Sequence, residues 1–131
     1  MDNRFGVTVG AGTLMADSAA AARFPHRWIP GGVTVEADFT GGHLFHLATA
    51  GCVLNDLYRE AAAPGIESKG ARVIAAGGFD AATWRSTGIG YSVQISSDAT
   101  ADQLAHLLEV VDQVAEIPQA IRAGATVRRV S

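Results

Sequence analysis

Residues 42–60 read GHLFHLATAGCVLNDLYRE and form the most strongly patterned segment of the chain. Small or apolar residues recur there at every third or fourth position, at Leu44, Leu47, Gly51, Leu54 and Leu57. A second row runs beside them through Phe45, Ala48 and Cys52. A helix that is apolar around much of its circumference is a buried helix. With Thr40 as N-cap and Pro64-Gly65 as the stop, the pattern predicts one long helix from about Gly42 to Ala62.

The segments on both sides of this helix have the alternating pattern of β-strands. The predicted strands are Arg4–Val9, Val33–Ala37, Lys69–Ala76, Gly88–Ser96 and Thr126–Val130, with Gly77-Gly78 as a turn. Thr100 and Gln103 form a capping box that opens a second helix. Ile117-Pro118 breaks that helix, and residues 118–123 restart it until Gly124. With no repeat and no linker, residues 1–131 are predicted to be one α+β domain.

The composition limits the functional classes. Apolar residues make up 48% of the 131 residues, charged residues make up 18%, and the net charge is −3, which is typical of a globular domain. There is no basic stripe for nucleic acid, and no apolar run reaches the roughly 20 residues of a membrane helix. The first residues lack a signal-peptide pattern. A lone cysteine without such a signal favours the cytoplasm.

Cys52 is the only cysteine, so it cannot form an internal disulfide. The local sequence leaves three roles for it: a buried core atom, a metal ligand or a nucleophile. His43 and His46 are spaced for joint coordination, but Cys52 does not share their helical face and a third ligand is missing. We therefore expect no metal and no cofactor.

Charged residues near Cys52 on the helix affect the reactivity of its thiol. Asp56 lies one turn away and would raise the pKa of the thiol if its carboxylate faces the sulfur. Arg59 lies two turns away and either pairs with Asp56 or turns toward the sulfur. Because Cys52 is far from the start of its helix, the helix dipole contributes little. Activation would then need an arginine from elsewhere, such as Arg23 or Arg27.

The order of these elements, and the run from Leu44 to Cys52 above all, resembles the OsmC/Ohr family of osmotically inducible and organic hydroperoxide resistance proteins. The resemblance covers most of the chain and is most specific over residues 41–59 and 104–127. It implies an intertwined homodimer in which β-sheets wrap two long central helices. It also implies that Cys52 attacks a peroxide and becomes a sulfenic acid.

Three positions depart from the family pattern. The residue before Pro118, where the family has a second, resolving cysteine, is Ile117. The family glutamate ten residues before the reactive cysteine is replaced by Gly42, and the activating arginine expected around Gly10–Gly12 is absent. A sulfenic acid at Cys52 would therefore need an external thiol reductant.

These observations leave three hypotheses. The first is a one-cysteine, thiol-dependent hydroperoxide reductase in oxidative-stress defence, with Cys52 as nucleophile and Arg27 or Arg23 as its cation. Its predicted apolar pocket for an alkyl peroxide is lined by Phe24, Trp28, Phe45 and Thr49. The second is a non-catalytic dimer of the same fold that binds a small hydrophobic ligand. The third is a purely structural or interaction protein.

Overall fold

The computed structural model describes residues 3–131, which form one sheet and three helices. The strands β1 (Val7–Gly12), β2 (Ala22–Phe24) and β3 (Val33–Glu36) precede the helix α1 (Gly41–Ala61). The strands β4 (Gly70–Phe79) and β5 (Ser86–Ser96) follow, and then the helices α2 (Ala101–Val114) and α3 (Glu116–Ala123). The predicted α+β class is confirmed.

The sheet is antiparallel throughout, with the strand order β2-β3-β1-β4-β5. In the central pair, Val9 of β1 lies opposite Val73 of β4, and both side chains are buried. Since alternate residues of a strand share a face, this register places a continuous apolar row on one side of the sheet. The row consists of Val7, Val9, Ala11, Ala71, Val73 and Ala75.

The helix α1 packs against this apolar row. It begins one residue earlier than predicted, and the Thr40 hydroxyl caps it by accepting a hydrogen bond from the backbone N–H of His43. Its buried face is mostly apolar but includes His46, Thr49 and Asp56. The prediction of a long, largely buried helix is confirmed. Of the two long central helices expected for the fold, the chain itself contains one with 21 residues, whereas α2 has 14.

The start of α1 is held against β4 by a buried histidine. The Nδ1 atom of His46 donates to the carbonyl oxygen of Gly42 over 2.7 Å, and the rings of Phe5, Phe45 and Phe79 surround the imidazole. A Cβ atom on Gly77 would lie 2.6 Å from His46 Nε2 and would collide with the carbonyl oxygen of Gly88. The prediction of a turn at Gly77-Gly78 is wrong. Both glycines lie inside β4, and at Gly77 the absence of a side chain lets the helix approach.

The two C-terminal helices, α2 and α3, both pack on α1. The predicted capping box of Thr100 and Gln103 is present at the start of α2. The break between the helices lies at Ala115, slightly before the predicted Ile117-Pro118. Pro118 instead belongs to the first turn of α3, where its missing N–H group has no intrahelical partner to lose. Gly124 ends α3 with a φ of 76°, as expected of a helix-terminating glycine.

The predicted final strand at Thr126–Val130 is not formed. These residues are exposed and lie outside the sheet. A strand needs a neighbour for its backbone hydrogen bonds, and alternation in the sequence does not provide that neighbour. Within residues 3–131, no helix has both the length and the hydropathy needed to cross a membrane.

The close approach at Gly77 predicts the effect of a single methyl group. Gly77→Ala should lower the free energy of unfolding by about 1–3 kcal/mol, because the added Cβ forces β5 or His46 to move. Urea denaturation followed by circular dichroism measures this change.

Gly41→Ala is the matched control, since a Cβ there meets no atom within 4 Å. It should leave the unfolding midpoint unchanged or raise it slightly. Equal midpoints for the two variants would contradict the predicted crowding at Gly77.

Candidate functional site

The thiol of Cys52 lies where α1 meets the first turn of α3. Its side chain is 7% exposed, and Sγ accepts a hydrogen bond from the backbone N–H of Ile117 over 3.4 Å. The first N–H groups of a helix have no partner within the helix. The N-cap of α3 is Ala115, which has no side chain to accept them. The thiol of Cys52 therefore serves as a tertiary acceptor that holds α3 on α1.

Ile117 lies beside Cys52, as the resemblance predicts for the residue that precedes Pro118. That position would hold the resolving cysteine of a two-cysteine enzyme. Because it is an isoleucine, Cys52 has no disulfide partner in the chain, and its thiol is free.

The environment of Cys52 opposes its ionisation. Burial raises the pKa of the thiol, and the carboxyl groups of Asp56 and Glu116 raise it further. The N–H groups of Ile117 and Glu116 act in the opposite direction, but the pKa of the thiol remains above its ordinary value. These surroundings therefore favour the protonated thiol over the thiolate.

Asp56 is a buried carboxyl group one helical turn from Cys52. Its Oδ1 atom accepts a hydrogen bond from Asn55 Nδ2 over 2.9 Å. Its Oδ2 atom lies 3.0 Å from Arg59 Nη2, close enough for an ion pair but not aligned for a hydrogen bond. Burial raises the pKa of Asp56 even though Asn55 and Arg59 lower it. The cost of removing the carboxylate from water therefore exceeds the attraction of the nearby guanidinium.

Arg59 pairs with carboxyl groups instead of turning toward the sulfur. Besides Asp56, its guanidinium lies 3.2 Å from Glu116 Oε1 and 3.5 Å from Glu60 Oε2. The hydrogen bond to Glu116 raises the pKa of Arg59 further. Three carboxyl groups thus surround the guanidinium closest to Cys52 along the helix, and they offset its positive charge.

Arg23 and Arg27, the predicted activating cations, lie on the surface of the protein. Arg23 is on the edge strand β2, and Arg27 is in the loop that follows it; both side chains are exposed. Among residues 3–131, no hydrogen bond or ion pair joins either of them to Cys52. Their assignment to the thiol remains a prediction.

The four predicted lining residues have different surroundings. Phe24 lines a shallow surface depression with Arg23 and His26. Trp28 donates its indole N–H to the carbonyl oxygen of Asn55 over 3.1 Å, and Phe45 packs against His46 and Phe79. Thr49 alone lines a cavity between α1 and α3.

This cavity, called the Thr49 cavity below, has a volume of about 190 Å³. It is lined by Thr49 of α1, by Ser86, Gly88, Ile89 and Tyr91 of β5, and by Pro118, Ile121 and Arg122 of α3. Thr49 is 3% exposed, and its Oγ1 atom has no hydrogen-bond partner among the described residues. The cavity and the Cys52 thiol both lie at the contact between α1 and α3. Ile117 donates its N–H to the thiol, and the next residue, Pro118, lines the cavity.

Two residues that line the Thr49 cavity belong to a polar network. The Tyr91 hydroxyl donates to Asp112 Oδ1, and Arg122 Nη2 contacts the same oxygen over 3.1 Å. The Tyr91 hydrogen bond lowers the pKa of Asp112, while burial and this hydrogen bond raise the pKa of Tyr91. Sequence analysis missed this network, because its residues come from three separate elements and no local pattern connects them.

The resemblance predicts a glutamate at position 42 and an arginine around Gly10–Gly12, and both Gly42 and Gly10 have close neighbours. A Cβ atom on Gly42 would lie 2.5 Å from Cδ1 of Phe5. A Cβ atom on Gly10 would collide with the carbonyl oxygen of Leu14 and lie 3.2 Å from Met15 Cα. A glutamate at Gly42 would displace Phe5, and an arginine at Gly10 would have no room for its first carbon atom.

One further cavity carries less chemistry. A cavity of about 270 Å³ lies between the end of α1 and α2, with Pro64, Ile66, Leu107 and Val110 among its lining residues. It shares no lining residue with the Thr49 cavity. Within the described part of the chain, no group of three or more His, Cys, Asp or Glu side chains is placed to hold a metal ion.

The comparisons with known proteins agree with this fold. No model of a protein family and no curated protein matches the sequence. Among solved structures, an OsmC-like hydroperoxide resistance protein from Jannaschia sp. CCS1 is similar, with a TM-score of 0.52 and 13% sequence identity. The match covers 96% of this chain and 93% of that chain. The chain therefore has an OsmC-like fold, which confirms the resemblance at the level of architecture.

The contact between Cys52 and Ile117 predicts different effects for two substitutions of the cysteine. Cys52→Ala should lower the free energy of unfolding by about 1 kcal/mol or more, because the Ile117 N–H loses its acceptor. It should also speed hydrogen exchange of the first amides of α3.

Cys52→Ser keeps an acceptor at the same position and serves as the matched control. Its α3 amides should exchange more slowly than those of Cys52→Ala. Equal exchange in the two variants would show that the thiol does not hold the start of α3.

Proposed function

We propose that the protein is a non-catalytic dimer with the OsmC-like fold that binds a small hydrophobic ligand. The main supporting observation is the environment of Cys52. Its pKa is raised by burial and by two carboxyl groups, while Arg59 is paired with three carboxyl groups. In this proposal the role of the thiol is structural: it anchors α3.

Peroxide reduction by a cysteine begins with its thiolate. The thiolate attacks one peroxide oxygen, the O–O bond breaks, and the leaving alkoxide takes up a proton, which yields a sulfenic acid and an alcohol. A neutral, buried thiol is a poor nucleophile for this step. Fast turnover would need a cation that offsets Asp56 and Glu116.

The Thr49 cavity supports the ligand-binding part of the proposal. Most of its walls are apolar, and its lining residues include the polar Thr49, Tyr91 and Arg122. Small-molecule sites commonly combine apolar walls with a few placed polar groups.

A one-cysteine thiol peroxidase is the second candidate, because the Ile117 N–H would stabilise a thiolate or sulfenate at Cys52. Arg23 or Arg27 would then have to approach the thiol, from the same chain or from a second copy. An external thiol would reduce the sulfenic acid, and a reducing compartment such as the cytoplasm supplies one.

One experiment separates these two candidates. Reduced protein is mixed with excess cumene hydroperoxide and a sulfenic-acid trap, and the intact mass is measured over time. We expect no rapid adduct on Cys52, and we expect alkylation by iodoacetamide to be slow at pH 7 and still rising above pH 9. A trapped adduct within seconds would reject the non-catalytic proposal in favour of the peroxidase.

Charge variants check the cause of the low reactivity. Glu116→Gln should speed alkylation of Cys52 by roughly twofold to threefold, because it removes a partly screened negative charge beside the sulfur. Glu109→Gln, on an exposed position of α2, is the control and should leave the rate unchanged. Denatured protein should react like an ordinary thiol.

The homodimer is proposed from the outward face of α1. Leu44, Ala48, Gly51 and Asn55 lie along one stripe of the helix and are exposed or half-buried. A Cβ atom on Gly51 would meet no atom within 4 Å. The side chains of Trp28 and Ile117 are also partly exposed, and an apolar surface of this kind is typical of an interface between subunits.

Gly51→Glu tests this interface. In an isolated chain the substitution has room and should stabilise α1 by about 0.5–1 kcal/mol, because glycine is a poor helix former. In a dimer joined through this stripe it should separate the subunits. Light scattering coupled to size exclusion should give a dimer mass for the wild type and a monomer mass for the variant.

Ala105→Glu, on an exposed position of α2, provides the control and should remain dimeric. A monomer mass for the wild type, or a dimer mass for Gly51→Glu, would exclude an interface along this stripe.

A further inference from the structure

We propose that α3 is a hinged cover over Cys52, and that the contact of Arg122 with Asp112 is the latch that keeps this cover closed. In the closed state α3 removes the thiol from solvent. When α3 lifts away from α1, the thiol becomes reachable from solution. This inference adds a control of access to the proposed function, and it holds whether or not the thiol is catalytic.

The first argument is that α3 is a short unit with a break in the helical backbone at each end. It has eight residues, and an isolated helix of that length is marginal in water. Ala115, at its start, has an extended backbone with a ψ of 120°, and Gly124, at its end, has a φ of 76°. The N–H of Ala115 bonds to the carbonyl oxygen of Val111 and so stays with α2. Rotation at the two breaks can therefore lift α3 without unwinding α2.

The second argument is the loose packing under α3. Pro118 is buried and Ile121 is half-buried, while the other residues of α3 are exposed. Both Pro118 and Ile121 line the Thr49 cavity, which has a volume of about 190 Å³. Side chains beside a void lose part of the dispersion contacts that a close-packed helix makes. Apolar packing therefore holds α3 weakly, and its polar contacts decide how long it stays closed.

The start of α3 has two polar contacts with α1. Cys52 Sγ accepts the N–H of Ile117, and Glu116 Oε1 lies 3.2 Å from Arg59 Nη1. The thiol is thus covered by the same turn that it holds. A substitution at any of these residues would change the thiol, its acceptor role or the charge beside it. These contacts cannot report on access alone.

The end of α3 is held by one guanidinium. Arg122 Nη2 lies 3.1 Å from Asp112 Oδ1, and Arg122 Nη1 donates to the main-chain oxygen of Asp112 over 3.2 Å. Asp112 belongs to α2 and also accepts the hydroxyl of Tyr91 from β5. The latch therefore joins α3 to two elements at once. Neither Arg122 nor Asp112 is among the charged groups that shift the pKa of the Cys52 thiol, so the latch can be opened without changing that pKa.

The test is the rate at which iodoacetamide alkylates Cys52 in the folded protein. Arg122→Met removes the guanidinium and keeps most of the apolar stem. It should speed alkylation by about threefold to fivefold, the effect of losing a half-exposed, charged hydrogen-bonded contact. The ratio of variant to wild-type rates should be the same at every pH. Arg128→Met makes the same change in charge at an exposed position after α3 and should react like the wild type.

Hydrogen exchange identifies the element that opens. The N–H of Gln119 bonds to the carbonyl oxygen of Ala115 within α3. Its exchange in Arg122→Met should accelerate by the same factor as the alkylation of Cys52. The amides of Val9 and Val73 in the central strands should exchange as in the wild type, since a local opening leaves the sheet intact.

Four results would overturn the proposal. Alkylation of Arg122→Met at the wild-type rate would show that the thiol is reached without lifting α3. Faster exchange of Gln119 without faster alkylation would lead to the same conclusion. Equal acceleration of Gln119 and Val73 would show that α3 opens only with the whole fold. A wild-type rate that rises on dilution and is not changed by Arg122→Met would assign the control to a subunit interface.

The proposed function fails on a different observation. A rapidly trapped sulfenic acid would reject the non-catalytic proposal. The ratio of alkylation rates between Arg122→Met and the wild type can be read for a reactive thiol as well as for an unreactive one. The inference about α3 is therefore decided separately from the chemistry of Cys52.

Discussion

The burial of one face of α1 against β1 and β4 is the interaction on which the rest of the structure depends. The valines and alanines of the two central strands supply a flat apolar surface, and Gly77 lets the helix come close to it. A buried helix needs an apolar face, yet this face also carries His46, Thr49 and Asp56. Burying polar groups costs free energy. We therefore infer that these three residues do more than fill the core.

The surroundings of Cys52 follow from this packing. Because α1 is covered, the thiol is removed from water and its protonated form is favoured. The same covering brings Asp56 and Glu116 close to the sulfur and binds Arg59 among carboxyl groups. The position of a cysteine along the chain therefore does not determine the electrostatic environment of its thiol. Two proteins can therefore share a fold without sharing a reaction.

The predictions from sequence succeeded where the signal was local. The helix bounds of α1, the Thr40 cap and the Thr100 capping box depend on neighbours within a few residues, and all three were confirmed. The turn at Gly77-Gly78 and the strand at Thr126–Val130 failed, because a glycine pair also fits a close helix contact and a strand requires a partner. The Thr49 cavity was only partly anticipated: Thr49 was named, whereas Tyr91 and Arg122 were not.

The sequence by itself determined the α+β class, the long buried helix and the absence of a second thiol, because periodicity, capping and composition act over short distances along the chain. Only the tertiary structure decided that Arg59 pairs with Asp56 and Glu116, that Cys52 caps α3, and that Thr49 lines a cavity. These contacts join residues from separate elements. Their distances depend on how the helices pack on one another and on the sheet, which no local pattern encodes.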